Sequence, residues 1–539
     1  MVGSRLERIG RILIPLAALL VFLPSVSFPF VWDDQSLVVD SRVLAGPIGD
    51  AFRSDLWATT PSTDDAASGY YRPLLLVDLF LDRLLFGLAP WGYHLHSVLW
   101  HCVAVMLAGA LFAGRYRSAG FVGAAVLALH PAQVESVAFV SARNDLMAAT
   151  FVLGALLAFE RGRFLVGALL ALCGLLSKEL VLVLPALAIV WLAGRVERRR
   201  VIASVLASGF GLGVGLAMRA WAGVSFGSEP SSGAALEGAA HLVAKVLWPV
   251  GLTSALHLGW ATSTPWWSLA TLAIGSLVAI RFGLFRPIVF FAVALAPALV
   301  GVERAGLVSD RYLYLPMAGV GWLVAAIVAR TSERVVAASG VAVLLAGGVG
   351  SSLQLRMWRS TDALWSETIR RTPNAYAYGA YAKELELQGR LDEAAKLYGL
   401  ATQPPQPLPH SCFNIVEIHM KRSDLPSAVR EGERALAAGC ERSPEILGPL
   451  SLAYAMSARW DDAERVANEL HARPGGDPTT KSDVVLLAVA AHRGDFAPVL
   501  STIAAQPQLR AAIADSVAEV LTVGGDPAHA DTVRALRSP

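Results

Sequence analysis

Eleven apolar stretches fill the first two thirds of this chain, and the loops between them alternate in charge. A bilayer crossing needs about 20 mostly apolar residues. Candidate spans run near 9–29, 92–113, 118–130, 145–159, 163–177, 180–194, 201–221, 266–281, 286–302, 313–330 and 335–354. Several are short, so the count is about eleven. Arg5, Arg8 and Arg11 precede the first span, and Arg115 and Arg117 follow the second. Arg161 and Arg163 follow the fourth, Arg195 with Arg198 to Arg200 the sixth, Arg281 and Arg286 the eighth, and Arg330 and Arg334 the tenth. Every second connection is basic, as cytoplasmic loops are under the positive-inside rule. The expectation is a multi-pass integral membrane protein with its N-terminus in the cytoplasm. The first span reads as an uncleaved anchor, because its apolar run exceeds the roughly 7–15 residues of a signal-peptide core; cleavage near Ser25 or Ser27 is the alternative.

The 539 residues are 55% hydrophobic and 16% charged, against roughly 25% charged in soluble domains. The deficit lies before Arg356; beyond it the chain has the composition of a soluble protein. The predicted organisation is an all-α, polytopic transmembrane helix bundle over 1–355, with a first external loop over 30–91. A junction over 356–373 leads to a tetratricopeptide-like α-solenoid over 374–539 on the extracytoplasmic side. A net charge of +2 without a basic face excludes a nucleic-acid partner. Four cysteines have no zinc spacing. Cys412 and Cys440 read as small residues buried in helix seams, with a disulfide as the other reading and their Cα separation as the arbiter.

The solenoid is read from a repeat. Gly389-Arg-Leu-Asp-Glu-Ala394 is echoed by Ser423-Asp-Leu-Pro-Ser-Ala428 and Ala458-Arg-Trp-Asp-Asp-Ala463, and more weakly from Gly494 and Gly525. The offsets are 34, 35, 36 and 31 residues, near the tetratricopeptide period of about 34. Tyr381, Tyr398 and Tyr454 are placed to fill the seams between helices. Such a stack offers a concave face to a protein and has no chemistry of its own.

Charged groups are costly in membrane segments and usually face a cavity. Here they gather at the outer ends of the spans. Asp33-Asp34 follow the first span, with Asp40, Asp50, Asp55, Asp64 and Asp65 further along the first loop. Arg72 closes that loop, and His94, His96 and His101 line one side of the second span. His130, Glu135, Arg143 and Asp145 form one block; Lys178-Glu179 and Asp310-Arg311-Tyr312 complete the set. Each has a structural alternative. Asp33 or Asp34 could cap a helix starting near Gln35, Arg143 and Asp145 could be a helix-start ion pair, and Lys178-Glu179 an interfacial turn. His96 and His101 read as packing residues, and His130-Pro131 could chiefly end a helix. The apolar stretch Leu74–Leu88, with Asp78 and Asp82 on one face, suits a helix lying along the interface.

At these blocks the chain resembles the transmembrane and tetratricopeptide-repeat O-mannosyltransferases of the GT-C group. The matching pieces are Val31-Trp-Asp-Asp34, Tyr71-Arg-Pro-Leu74, Pro90-Trp-Gly-Tyr-His-Leu95, His130-Pro with Val134-Glu135, Arg143 and Asp145, Leu176-Ser-Lys-Glu179 and Asp310-Arg-Tyr-Leu-Tyr-Leu-Pro316. The junction from Trp358 through Trp365 to Asn374 is similar too. The resemblance implies an inverting glycosyltransferase that moves a sugar, mannose in the family, from a polyprenyl-phosphate carrier to a hydroxyl of a protein docked by the repeats. It implies Asp33 or Asp34 as the base. Arg72, His94, His130, Glu135, Arg143, Asp145, Lys178, Glu179, Arg311 and Tyr312 would then hold the donor's phosphate and sugar. A monophosphate donor calls for no metal and no cofactor. The arginine- and alanine-rich composition points to a bacterial inner membrane with periplasmic repeats. Two rivals are a membrane-tethered scaffold and a lipid-linked sugar transporter. The scaffold leaves the polar clusters unexplained; the transporter should place its charges at the midplane.

Overall fold

The computed structural model describes residues 5–57, 69–225, 233–258, 263–403, 409–472 and 481–537; Asp64 and Asp65 lie outside them. The chain forms two compact units, Met1–Thr372 and Pro373–Pro539. The first is a helix bundle in which each expected apolar segment is helical. Among the described residues, six helices are long and apolar enough to cross a membrane: Arg5–Ser27, Pro90–Tyr116, Val140–Glu160, Arg198–Trp221, Phe285–Arg304 and Glu333–Arg359. Four shorter apolar helices accompany them, and Ser118–Leu129 continues into Pro131–Ala138 through a 52° bend at His130-Pro131. This is an integral membrane protein.

Lipid gives helices no hydrophobic reason to associate, so close backbone approach must hold them. Small residues provide it. A Cβ on Gly123 would stand 2.2 Å from the Gly321 carbonyl oxygen, and one on Gly321 would stand 2.5 Å from that of Gly123. Helices Ser118–Leu129 and Pro316–Val328 therefore touch backbone to backbone. Gly120 likewise meets the backbone of Phe112 and Ala113. Helix Val140–Glu160 is the most enclosed of the six, and its start carries Ser141, Arg143 and Asp145 into the interior.

Three expectations change here. Helix Pro73–Phe86 does not present its acids to water as an interfacial helix should: Asp78 and Asp82 are buried while Leu81, Leu84 and Leu85 are exposed. The reason is Arg143, whose Nη1 lies 2.5 Å from both carboxylates. A helix left out of the span count, Ala234–Leu247, packs on Phe285–Ala305. A two-residue ladder joins Leu256–His257 to Leu307–Val308, antiparallel, and leads directly into Ser309–Arg311.

The described residues of the second unit form five helix pairs: Ala375–Leu387 with Leu391–Ala401, Pro409–Lys421 with Leu425–Ala437, Pro444–Met456 with Trp460–His471, Lys481–His492 with Ala497–Ala505, and Arg510–Val523 with Pro527–Ala535. Each sequence echo falls at the turn inside a pair, and Gly389, Ser423, Ala458, Gly494 and Gly525 all have positive φ, from 56° to 82°. The repeat is a repeated left-handed turn, which glycine adopts freely and other residues at a cost. Tyr398 and Tyr454 are buried in the shared core, with Tyr381 packed against it. Cys412 and Cys440 are buried as expected of seam residues, but they are also joined, with Cα atoms 5.9 Å apart. The second pair's helices bring them within bridging distance.

Candidate active site

The acid pair is held in a conformation that separates its members. Trp32 has φ 55°, a left-handed geometry costing a bulky residue about 1–2 kcal/mol. Its indole is fixed flat on Phe139 at 5.0 Å and edge-on to Trp365 at 5.2 Å. Beyond this bend, Asp34 turns inward. Its Oδ1 accepts hydrogen bonds from the Ser141 backbone N–H (2.7 Å) and hydroxyl (2.6 Å), and its Oδ2 accepts from the Val31 N–H (3.3 Å). It makes no cap bond to the turn Gln35–Val39, so the capping alternative is set aside. Asp33, only half-buried, takes no side-chain hydrogen bond among the described residues. Burial pushes the Asp33 carboxyl up to about 6, with the Arg311 cation opposing it. Burial pushes Asp34 up to about 7 against its Ser141 bonds.

Arg311 faces this acid. Its backbone is clamped by Glu135, whose carboxylate accepts from the N–H groups of Asp310 (2.9 Å) and Arg311 (3.3 Å) and from the Ser309 hydroxyl. Asp310 in turn pairs with Lys245, which also donates to the Thr253 carbonyl at 2.9 Å. The Arg311 guanidinium itself donates no hydrogen bond among the described residues. It lies 3.7 Å from Glu135 and over the rings of Trp32, Phe139 and Tyr312 at 5.5, 5.7 and 6.0 Å. Burial works against its charge, but Glu135, Asp33 and Asp145 outweigh that and push its pKa up.

A second cationic cluster adjoins. Lys178 Nζ lies 2.6 Å from Asp145; burial pushes it down to about 8, opposed by Asp145, so it is protonated at neutral pH. Arg72 grips one oxygen of Glu179 through Nε (3.0 Å) and Nη2 (2.8 Å) and lies 4.5 Å over the Tyr70 ring. Neither Lys178-Glu179 nor Arg143-Asp145 is a pair within itself; each residue reaches a different helix. Among the described residues, Asp145 Oδ2, Gln133 Oε1 and Nε2, and Asn144 Oδ1 are buried without hydrogen-bond partners, which is uncommon for buried polar atoms.

Asp33, Glu135, Asp145, Lys178, Arg72, Glu179, Arg311 and Tyr312 thus form one electrostatic neighbourhood. Three expected members stand apart. Arg143 is fully buried and saturated by Asp78, Asp82, the Ser97 hydroxyl and the Tyr93 carbonyl, leaving it no reach toward a phosphate. His94 is sealed in the bundle against the Pro29 carbonyl. His130 sits at the helix bend, accepting from Ala132 N–H through Nδ1 with Nε2 near the Val246 carbonyl. Of the deeper histidines, His101 bonds the Tyr314 hydroxyl at 2.6 Å, and His96 reaches Asp82 at 2.7 Å. Sequence reasoning missed Ser141 and Lys245. The signal for Lys245 was present: a lone cation in the apolar run Ala239–Val250.

The class this defines is a polytopic helical membrane protein in which a carboxylate and a guanidinium, neither making a side-chain hydrogen bond among the described residues, share one charged neighbourhood. No family model matches the chain. It is 34% identical over 176 residues to protein O-mannosyl-transferase Tmtc1 of Drosophila melanogaster, covering 30% of this chain and 20% of that protein. It is 35% identical over 151 residues to Tmtc2 of the same organism (27% and 16%) and 31% identical over 139 residues to mouse TMTC3 (25% and 15%). These are the proteins its motifs resemble, and the chain spans a fifth or less of the length of these three. Among solved structures it is similar to ArnT from Cupriavidus metallidurans bound to undecaprenyl phosphate, with 15% identity, a TM-score of 0.40, and 86% of this chain and 80% of that one covered.

Proposed function

We propose that the chain is an inverting glycosyltransferase that transfers a sugar, mannose by its relatives' names, from a polyprenyl phosphate to a protein hydroxyl on the extracytoplasmic face. One observation carries the reading: among the described residues the Asp33 carboxylate and the Arg311 guanidinium make no side-chain hydrogen bond, and Arg311 has only a long 3.7 Å ion pair to Glu135, while Lys178 and Asp34 are held at 2.6 Å by Asp145 and Ser141. A base must be free to take a proton, and a cation must be free to meet a leaving group.

Asp33 accepts the acceptor hydroxyl's proton while that oxygen attacks the anomeric carbon from the face opposite the phosphate. The carbon–phosphate oxygen bond breaks with its electron pair, and the prenyl phosphate leaves as an anion. Arg311 meets the developing charge, with Lys178 and Arg72 behind it. Asp34 serves as the anchor that aims Asp33. The prenyl tail stays in the lipid. The alternating basic loops support a cytoplasmic N-terminus, and the Cys412–Cys440 bond supports an oxidising compartment for the repeats.

The test is transfer from radiolabelled mannosyl-phosphoprenol to membrane or periplasmic proteins by purified Asp33→Asn and wild-type enzyme. Asp33→Asn should lose about 10²–10⁴-fold in rate with unchanged thermal stability. Full activity in this variant removes Asp33 as the base. Loss of binding for the labelled lipid by the wild type removes the donor class.

A further inference from the structure

Far from these residues in sequence, the last two helix pairs share a cluster that the transfer reaction does not use. His492 ends helix Lys481–His492, Asp526 precedes helix Pro527–Ala535, and His529 lies one turn into it. The Nδ1 atoms of His492 and His529 lie 2.6 and 2.8 Å from the same oxygen, Asp526 Oδ2. Oδ1 of the same carboxylate accepts the His529 backbone N–H at 3.3 Å and caps the helix. Trp460 stacks on the His492 ring at 4.3 Å and 17°, fixing its plane. Among the described residues no lysine or arginine pairs with Asp526. Arg493, next in sequence to His492, is instead turned to Glu464 and Asp461.

We infer that His492, Asp526 and His529 form a binding site for a divalent transition-metal ion of the zinc class. Two imidazole nitrogens and one carboxylate oxygen lie within 4.8 Å of one another, a donor set that suits zinc, nickel or copper more than calcium or magnesium. An imidazole that carries its proton on Nε2 offers its Nδ1 lone pair inward. The histidine side chains are about a third exposed, which leaves a coordination position for water. The ion would join the fourth helix pair to the fifth, whose sequence echoes are the weakest of the five.

The experiment uses the full chain in detergent, purified without a histidine tag, stripped with chelator and titrated calorimetrically with zinc chloride. Cobalt(II) is added in parallel for its visible ligand-field bands. One equivalent should bind, with four-coordinate bands in the cobalt spectrum. His492→Gln and His529→Gln should each weaken binding about tenfold or more. Asp526→Asn, which keeps the helix cap, should do the same with an unaltered circular-dichroism spectrum, so a folding defect in the histidine variants leaves the test intact. Absence of a bound equivalent in the wild type overturns the site. So does wild-type affinity in Asp526→Asn or in a variant carrying both His492→Gln and His529→Gln.

Discussion

At the residue scale, two adjacent aspartates have different surroundings because one bend divides them. Asp34 holds three donors and Asp33 none. Asp34→Asn turns an amide N–H toward a backbone N–H and should cost about 1–3 kcal/mol of stability, whereas Asp33→Asn should leave the melting temperature in place. Differential scanning fluorimetry beside the transfer assay separates the two. The pH dependence follows from the same geometry. The base must be ionised, so kcat/KM should fall as pH drops, with an acid limb between about 6 and about 7 set by the burial of the pair. Arg311 lowers the Asp33 value. Arg311→Gln should therefore move that limb upward and also cut kcat about 10²–10³-fold. A limb that stays in place in this variant breaks the proposed pairing.

At the element scale, small residues decide which helices meet. The Gly123–Gly321 crossing leaves no space for a side chain, so Gly321→Val should cost at least about 1–3 kcal/mol by overpacking and lower the yield of folded protein from membranes. In the repeats the effect has the opposite sign. Ala458 has φ 59° without being glycine, and Ala458→Gly should raise the unfolding free energy of the second unit by about 1 kcal/mol, measured by denaturant titration. The helices were legible in the sequence because a 20-residue apolar run has few other fates. The solenoid was legible because its turns need the same backbone at each repeat. The pairing of charges was not. Nothing in the spacing of Asp78, Asp82 and Arg143 says that a helix 60 residues earlier turns its acids inward. Nor does composition distinguish Asp33 from Asp34, since their difference is made by Ser141, more than 100 residues away. Ala234–Leu247 does not read as a span because Glu237, His241 and Lys245, four residues apart on one face, break its apolar run.

At the scale of the whole molecule, the proposed chemistry and the proposed recognition fall in different units. The charged neighbourhood lies within Met1–Thr372, while Pro373–Pro539 is a solenoid, an architecture whose use is to hold other proteins. If the first unit performs transfer and the second captures the acceptor, removing residues 374–539 should separate the two functions. Hydrolysis of the labelled prenyl-phosphate sugar to water needs only the base and the cations, so it should persist near the wild-type rate. Transfer to protein should fall through a raised acceptor KM, and a short hydroxyl peptide supplied at high concentration should restore it. Equal loss of hydrolysis and transfer would mean that the repeats support the fold of the bundle. The disulfide adds an independent check on the side of the membrane. Closing its loop stabilises the second unit by about 3–4 kcal/mol, and the bond persists only away from cytosolic reductants. Peptide mapping of protein from native membranes, alkylated before any reduction, should recover Cys412 linked to Cys440 while Cys102 and Cys173 stay free. Recovery of alkylated Cys412 and Cys440 would put the repeats, and with them the connection that leaves the last span, on the reducing side.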